Sequence, residues 1–161
     1  MARILFNDPL ALYDSGDENL KDGICALIRK ARNSIKFHSY SFAGFYKDDD
    51  LNRTMLKALR KNVELEIYGH KYAELNYLKT IYDDYNIACY KFLPPNEKCL
   101  YHIKALVVDD LYVYIGSANF SENAFNNSSE LGLFFEDGGI ARSIDDYVKH
   151  LQTQNLFEMV K

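Results

Sequence analysis

His102, Lys104, Ser117 and Asn119 place an imidazole, an ammonium, a hydroxyl and a carboxamide within one 18-residue stretch. These groups suit a phosphate: the lysine and asparagine can bind its oxygens, while the histidine reaches phosphorus or a leaving oxygen. A hairpin can bring them together. Ile103–Val108 and Tyr112–Ser117 read as strands separated by Asp109-Asp110-Leu111. With Asp109 and Asp110 as a two-residue turn, Val108 faces Leu111 and His102 faces Ser117. Because side chains alternate along a strand, His102, Lys104 and Ser117 then share one face, and Asn119 follows on the same parity. Leu106, Val108 and Val113 continue that face as an apolar surface, which confines the polarity to one end. Gly116, beside Ser117, leaves room for a close approach. Asp109 lies seven residues from His102, about 23 Å at roughly 3.3 Å per residue, so it belongs to the turn and not to the site.

The elements around this hairpin read as an alternation of helix and strand. Leu20, Ile24, Leu27, Ile28 and Ala31 recur at helical spacing after a short apolar segment, Ile4–Phe6, with Ser15 or Asp17 available as a cap. Ser34–Phe42 is rich in β-formers, and the run from Asp49 to Lys61 puts Leu51, Met55, Ala58 and Leu59 on one helical face. Val63–Gly69 reads as strand, a helix carrying Tyr77, Leu78, Ile81, Tyr82 and Tyr85 follows, and Ile87–Phe92 is a strand ended by Pro94-Pro95. Leu131–Phe135 adds a strand, and a closing helix has Ile140, Ile144, Tyr147, Val148 and Leu151 on one side. The expectation is an α/β fold: one mixed β-sheet of about seven strands flanked by helices, in a single domain spanning 1–161. Asp48-Asp49-Asp50 reads as a solvated helix start, and no metal site is expected there.

The spacing His102-x-Lys104-x(4)-Asp109-x(6)-Gly116-Ser117-x-Asn119 resembles the phospholipase D superfamily signature, H-x-K-x(4)-D-x(6)-G-S-x-N. Six fixed positions match by chance in such a chain with probability on the order of 10⁻⁶, so the resemblance is specific although it covers 18 residues. It implies a phospholipase D-like fold and a metal-independent, cofactor-free phosphodiesterase. In that family one histidine attacks phosphorus to give a phosphohistidine, and a second, from another copy of the motif, protonates the leaving oxygen. This sequence holds one copy; His38-Ser39-Tyr40 and His70-Lys71-Tyr72 lack the spacing. The resemblance therefore implies a homodimer with one composite site about a two-fold axis. It is strongest to the small bacterial endonucleases of the Nuc type. Glu130 follows at the start of the next strand, where the family commonly places a glutamate that orients the histidine, although Ser128 stands where the pattern has asparagine.

Other residues are candidates for lining the cleft. Ser39, Tyr40 and Ser41 close one strand, and His70 and Lys71 close another; open α/β sheets bind ligands beyond such strand ends. His38, in mid-strand, reads as a core histidine, and Tyr101 points to the face opposite His102. Cys25, Cys89 and Cys99 lack metal-type spacing and read as packing residues. No apolar run approaches the roughly 20 residues needed to span a bilayer. The start lacks the apolar core of a secretory signal, so a cytoplasmic location without stable membrane association is expected.

The net charge of −4 bears on substrate. A general electrostatic grip on nucleic acid usually shows as a basic protein. A polyanion here must be held by a local cluster of Lys and Arg inside an otherwise acidic surface. Nucleic acid is the leading substrate. A phospholipid hydrolase shares the chemistry, but no basic amphipathic helix is evident. The third reading is a nucleic-acid-binding module of a larger restriction enzyme or helicase, against which the intact His102 and Lys104 argue.

Overall fold

The computed structural model describes residues 2–10 and 18–161. Strands β1 (Arg3–Asn7), β2 (Ser34–Ser39), β3 (Glu64–Gly69), β4 (Ile87–Phe92), β5 (Ala105–Val108), β6 (Tyr112–Gly116), β7 (Glu130–Glu136) and β8 (Phe157–Met159) form one sheet. Its order is β1-β7-β6-β5-β2-β3-β4-β8. Strands β2, β3 and β4 are mutually parallel, and the other neighbouring pairs are antiparallel. Helices α1 (Leu20–Lys30), α2 (Asp49–Leu59), α3 (Tyr72–Ile81), α4 (Glu122–Asn126) and α5 (Gly138–Thr153) complete the α/β architecture. The sequence pattern placed six of these strands and expected about seven in all; Ile4–Phe6, read only as a short apolar segment, lies in β1, and β8, three residues long, is too short to register as a period and pairs with the edge of β4.

The apolar stripes decide the layers. Ile24 and Ile28 of α1, Leu51 and Met55 of α2, and Leu75 and Leu78 of α3 pack with Leu106, Val108 and Tyr114 in one buried cluster. On the opposite face Val107 and Val113 meet Ala141 of α5, and Tyr68, Phe92 and Tyr101 meet Val148 and Leu151. Tyr147, expected on the packed side of α5, is instead half exposed. The cap of α1 is Asn19, whose side chain accepts the N–H of Asp22 while the Asp22 carboxylate accepts the Asn19 N–H; Ser15 and Asp17 lie outside the described residues. Asp48 caps α2 by accepting the Leu51 N–H, with Asp49 and Asp50 in its first turn. Cys25 and Cys89 are buried free thiols.

The hairpin register differs by one residue from the expected one. Asp109 and Asp110 do form the turn, with φ of 52° and 53°, and the Leu111 N–H donates to the Val108 carbonyl. The ladder, however, pairs Val108 with Tyr112 and Leu106 with Tyr114, leaving Leu111 unpaired within it. The cause is tertiary: the Leu111 carbonyl accepts the Asp137 N–H, which ties the turn to the start of α5. Two corrections follow. Val113 faces α5 and not the Leu106 face, and Gly116 donates to the Lys104 carbonyl, so ladder parity separates Ser117 from Lys104.

Candidate active site

Topology brings the chemistry-bearing residues to one rim of the sheet. The end of β2 lies beside the start of β5, through His38 and Ala105. The start of β5 lies beside the end of β6, whose Gly116 in turn neighbours Gly132 near the start of β7. His102 and Lys104 occupy the segment just before β5 and not the strand itself. Ser117 and Asn119 follow β6, and Glu130 opens β7.

His102 is exposed, and Lys104 is 8% exposed. The Lys104 Nζ lies 2.7 Å from His102 Nδ1 and 3.1 Å from Nε2, and donates to the His102 carbonyl at 2.9 Å. The ammonium therefore sits against the imidazole edge, with its remaining hydrogen-bond capacity for an incoming oxygen. Burial draws the lysine below its usual range, with the Glu130 carboxylate working in the opposite sense. A cation that has already lost much of its water gains more from a bound phosphate than a hydrated one.

Glu130 replaces strand parity as the link between the two arms of the hairpin. Its carboxylate accepts a hydrogen bond from Ser117 Oγ, and Ser117 Oγ accepts the Leu131 N–H at 3.1 Å. The same carboxylate acts electrostatically on Lys104. Among the described residues no hydrogen bond joins Glu130 to His102 within the chain. Gly116 makes this junction possible: a Cβ there would stand 2.5 Å from the Leu131 carbonyl oxygen. The space that the sequence suggested for a ligand is used by the neighbouring strand.

Asn119 is held from beneath. The buried Ser39 donates to the Ser41 carbonyl at 2.8 Å, lies 3.2 Å from Asn119 Oδ1 and accepts the Phe120 N–H. Ser41 is also buried, and its hydroxyl donates to Glu74. Ser39 and Ser41 are thus buried, and their hydroxyls are engaged in bracing the rim. Tyr40 and His70 do border it: the Tyr40 ring is 5.3 Å from that of His102 and stacks on His70 at 5.1 Å, with Lys71 Nζ 5.1 Å from its centre. His70 Nδ1 accepts the Tyr101 N–H, which leaves its proton on Nε2. Burial, then Lys91 and Lys71, lower its pKa. Tyr101 points away as expected, its hydroxyl 2.8 Å from Nδ1 of the buried His38.

Two residues of the rim had no sequence signal. Glu74 accepts from Ser41 and from the Phe42 N–H at 2.7 Å and pairs with Lys71 at 3.4 Å, tying the end of β2 to α3. Asn7 donates to the Ala124 and Ser128 carbonyls, fixing the loop that runs from α4 to Glu130. Both contacts span distant parts of the chain, so no local spacing announces them. Asp109, conversely, lies at the far end of the hairpin, where its carboxylate accepts the backbone N–H groups of Arg32, Asn33 and Ser34 at 2.8 to 2.9 Å.

Residues 24–152 match the family model described as cardiolipin synthase, PLD-like domain. The chain belongs to the phospholipase D-like family. The matched range includes the whole stretch His102–Asn119 as well as Glu130. A search of curated protein sequences finds no significant match. Among solved structures, this phospholipase D-like fold is similar to Nuc from Salmonella typhimurium, a phospholipase D family member: 19% identity, TM-score 0.72, covering 100% of this chain and 98% of that one. NucT from Helicobacter pylori is 21% identical with a TM-score of 0.68, covering 95% and 96%. The phosphatidylserine synthase of Haemophilus influenzae is 15% identical with a TM-score of 0.73, over 99% of this chain and 40% of that one. Among the described residues no group of three or more His, Cys, Asp or Glu is placed to hold a metal ion, and no helix is long and apolar enough to cross a membrane.

Proposed function

We propose that this phospholipase D-like chain is a metal-independent nuclease that works through a phosphohistidine at His102 in a homodimeric composite site. The observation that carries the reading is the exposed His102 imidazole with the part-buried Lys104 ammonium at its edge, on a rim shared with Asn119 and the Ser117–Glu130 pair. In the first step a ring nitrogen of His102 bonds to phosphorus as the phosphorus–oxygen bond breaks, and His102 of the partner subunit protonates the leaving oxygen. Water then attacks phosphorus and breaks the phosphorus–nitrogen bond, giving its proton to that second imidazole. Lys104 and Asn119 bind the non-bridging oxygens, where charge builds in both transition states. Glu130 fixes the Ser117 hydroxyl and is available to the imidazole of the partner subunit.

The ladder His102, Tyr40 and His70, with Lys71 over the tyrosine, favours a nucleic acid, because it alternates stacking faces with charge beside the reacting group. One observation favours a phospholipid instead: an open depression of about 470 Å³ beside Ser117 and Glu130 has apolar walls from Phe6 and Leu131. The deciding experiment offers labelled single-stranded and duplex DNA and RNA, and phosphatidylcholine vesicles, to the enzyme in excess EDTA. Nucleic acid should be cleaved, and His102→Ala should lower turnover on the order of 10⁴-fold or more. Loss of all turnover on chelation would sink the metal-free mechanism, and turnover of the lipid alone would reverse the choice of substrate.

A further inference from the structure

A groove of about 270 Å³ runs between α1 and α2, on the helical face and apart from the rim. Its floor is made by Ala31 and Ala58, which are nearly fully buried, and its charged lining is Arg29, Arg53, Lys57 and Lys61 with the single carboxylate of Asp50. The small floor residues keep the groove open. Arg53, Lys57 and Lys61 recur every fourth residue along α2 and the turn that prolongs it, so they stand in a row at steps of about 6 Å. Like charges at that spacing repel.

Among the described residues nothing answers this row fully. Arg53 contacts Asp50 at 3.4 Å in an exposed pair, and among the described residues Arg29, Lys57 and Lys61 form no salt bridge. Lys21 and Lys36, by contrast, are paired with Asp48 and Asp145. The negative ends of the helix dipoles favour cations in the last turn, which accounts for Arg29 and Lys57 but not for Arg53, more than a turn from the end of α2. Four of the 19 Lys and Arg side chains, Arg29, Arg53, Lys57 and Lys61, line the groove against one carboxylate, Asp50. This is the local basic cluster within an acidic molecule that a polyanion requires.

The arrangement also selects the kind of anion. Convergent groups would suit one phosphate; a row on one helix faced by a single arginine suits a linear series of them. Among the described residues the groove has no aromatic lining, so it can follow a backbone without reading bases. The end of α1 lies beside the β5–β6 turn, where Lys30 sits 4.1 Å from the Tyr112 ring centre. That turn is about 23 Å from His102 along the strand. We propose that the α1–α2 groove is a second, non-catalytic site that holds the phosphate backbone of a nucleic-acid strand beyond the scissile bond. The proposal rests on the reading of the substrate as nucleic acid.

The test measures binding of a fluorescent oligonucleotide of about 30 nucleotides, single-stranded and duplex, to the His102→Ala protein over a range of salt. Adding Arg53→Ala, Lys57→Ala and Lys61→Ala should weaken binding at least about tenfold and reduce the slope of log affinity against log salt by about two to three. The single change Lys57→Gln should act in the same direction, and Lys57→Arg should retain binding; melting curves verify folding. In the otherwise wild-type enzyme, the triple variant should lower the ratio of kcat/KM on the long strand to that on bis(p-nitrophenyl) phosphate by a similar factor. Unchanged affinity and slope would overturn the proposal. So would vesicles rich in phosphatidylglycerol that sediment the parent but not the triple variant while strand binding is unaffected. Failure of the nuclease reading gives a different result, a wild type that leaves every nucleic acid uncut, and strand binding that depends on the row would still sustain the groove.

Discussion

At the scale of single residues, His38 shows how a buried group beneath the rim constrains the working pH. It is fully buried, stacks on Tyr68 at 5.0 Å and uses only Nδ1, toward Tyr101. Burial, reinforced by Lys36, holds its pKa down to about 3. The folded state therefore keeps this imidazole neutral while the unfolded chain protonates it near 6.5. Its contribution to stability is complete above that value and declines as pH falls toward the folded pKa, by about 1.4 kcal/mol per pH unit at most. Urea unfolding at pH 7 and pH 5 should show the wild type losing up to about 2 kcal/mol more than His38→Phe over that interval. Equal losses would show that His38 is not the titrating group. His70, also shifted downward, is present in both proteins and cancels. At this scale the sequence was informative: His38 read as core, and Tyr101 as pointing to the face opposite His102. The burial of Ser39 and Ser41 was not legible, because a serine at a strand end looks the same whether it faces a ligand or braces a loop. Only the partners, Asn119 and Glu74, distinguish the two.

At the scale of elements, the hairpin is where reading and structure part. The turn was legible because two aspartates tolerate positive φ. Its register was not, because Leu111 leaves the ladder for a bond with Asp137, 26 residues further on. A one-residue slip reverses the faces of one arm, so parity alone placed Ser117 with Lys104; the pairing that brings it back to the site runs through Glu130 on a third strand. The aspartate of the signature has a structural task at the other end. Three backbone N–H groups of the α1–β2 connection converge on Asp109, which thereby locks the start of β2 against the β5–β6 turn. Asp109→Ala should cost about 2–3 kcal/mol, since it orphans three donors and places a Cβ without a local hydrogen bond at positive φ. Asp109→Asn retains one acceptor oxygen and tolerance of that φ, so it should cost roughly half as much. Chemical denaturation measures both. Activity at a temperature where each variant is folded should stay near wild type; a hundredfold fall in kcat with unchanged stability would return Asp109 to the site.

At the scale of the whole molecule, the rim supplies one imidazole where the proposed double displacement uses two. In the proposed mechanism a single rim holds His102 as nucleophile, Lys104 and Asn119 for the charge, and Ser117 with Glu130. Within the chain, Tyr40 stands between His70 and His102, and His38 is sealed in the core. A two-fold pairing that sets two rims face to face provides the missing group without adding any residue. The sequence reached the same count from one motif copy; what it could not indicate was that the ends of β5, β6 and β7 would bring all five side chains to one rim, since that depends on strand order and not on spacing. The pairing makes a quantitative prediction for mixtures. If wild type and His102→Ala chains are combined in equal amounts and allowed to exchange partners, a site that needs both histidines is intact only in wild-type pairs, about a quarter of all dimers. Activity per total chain should then be about a quarter of that of pure wild type and follow the square of the wild-type fraction. Sites that each use a single chain would instead give about half and a straight line. The titration therefore discriminates between a composite site and two independent ones, provided that subunit exchange is verified by native mass spectrometry of differently tagged chains.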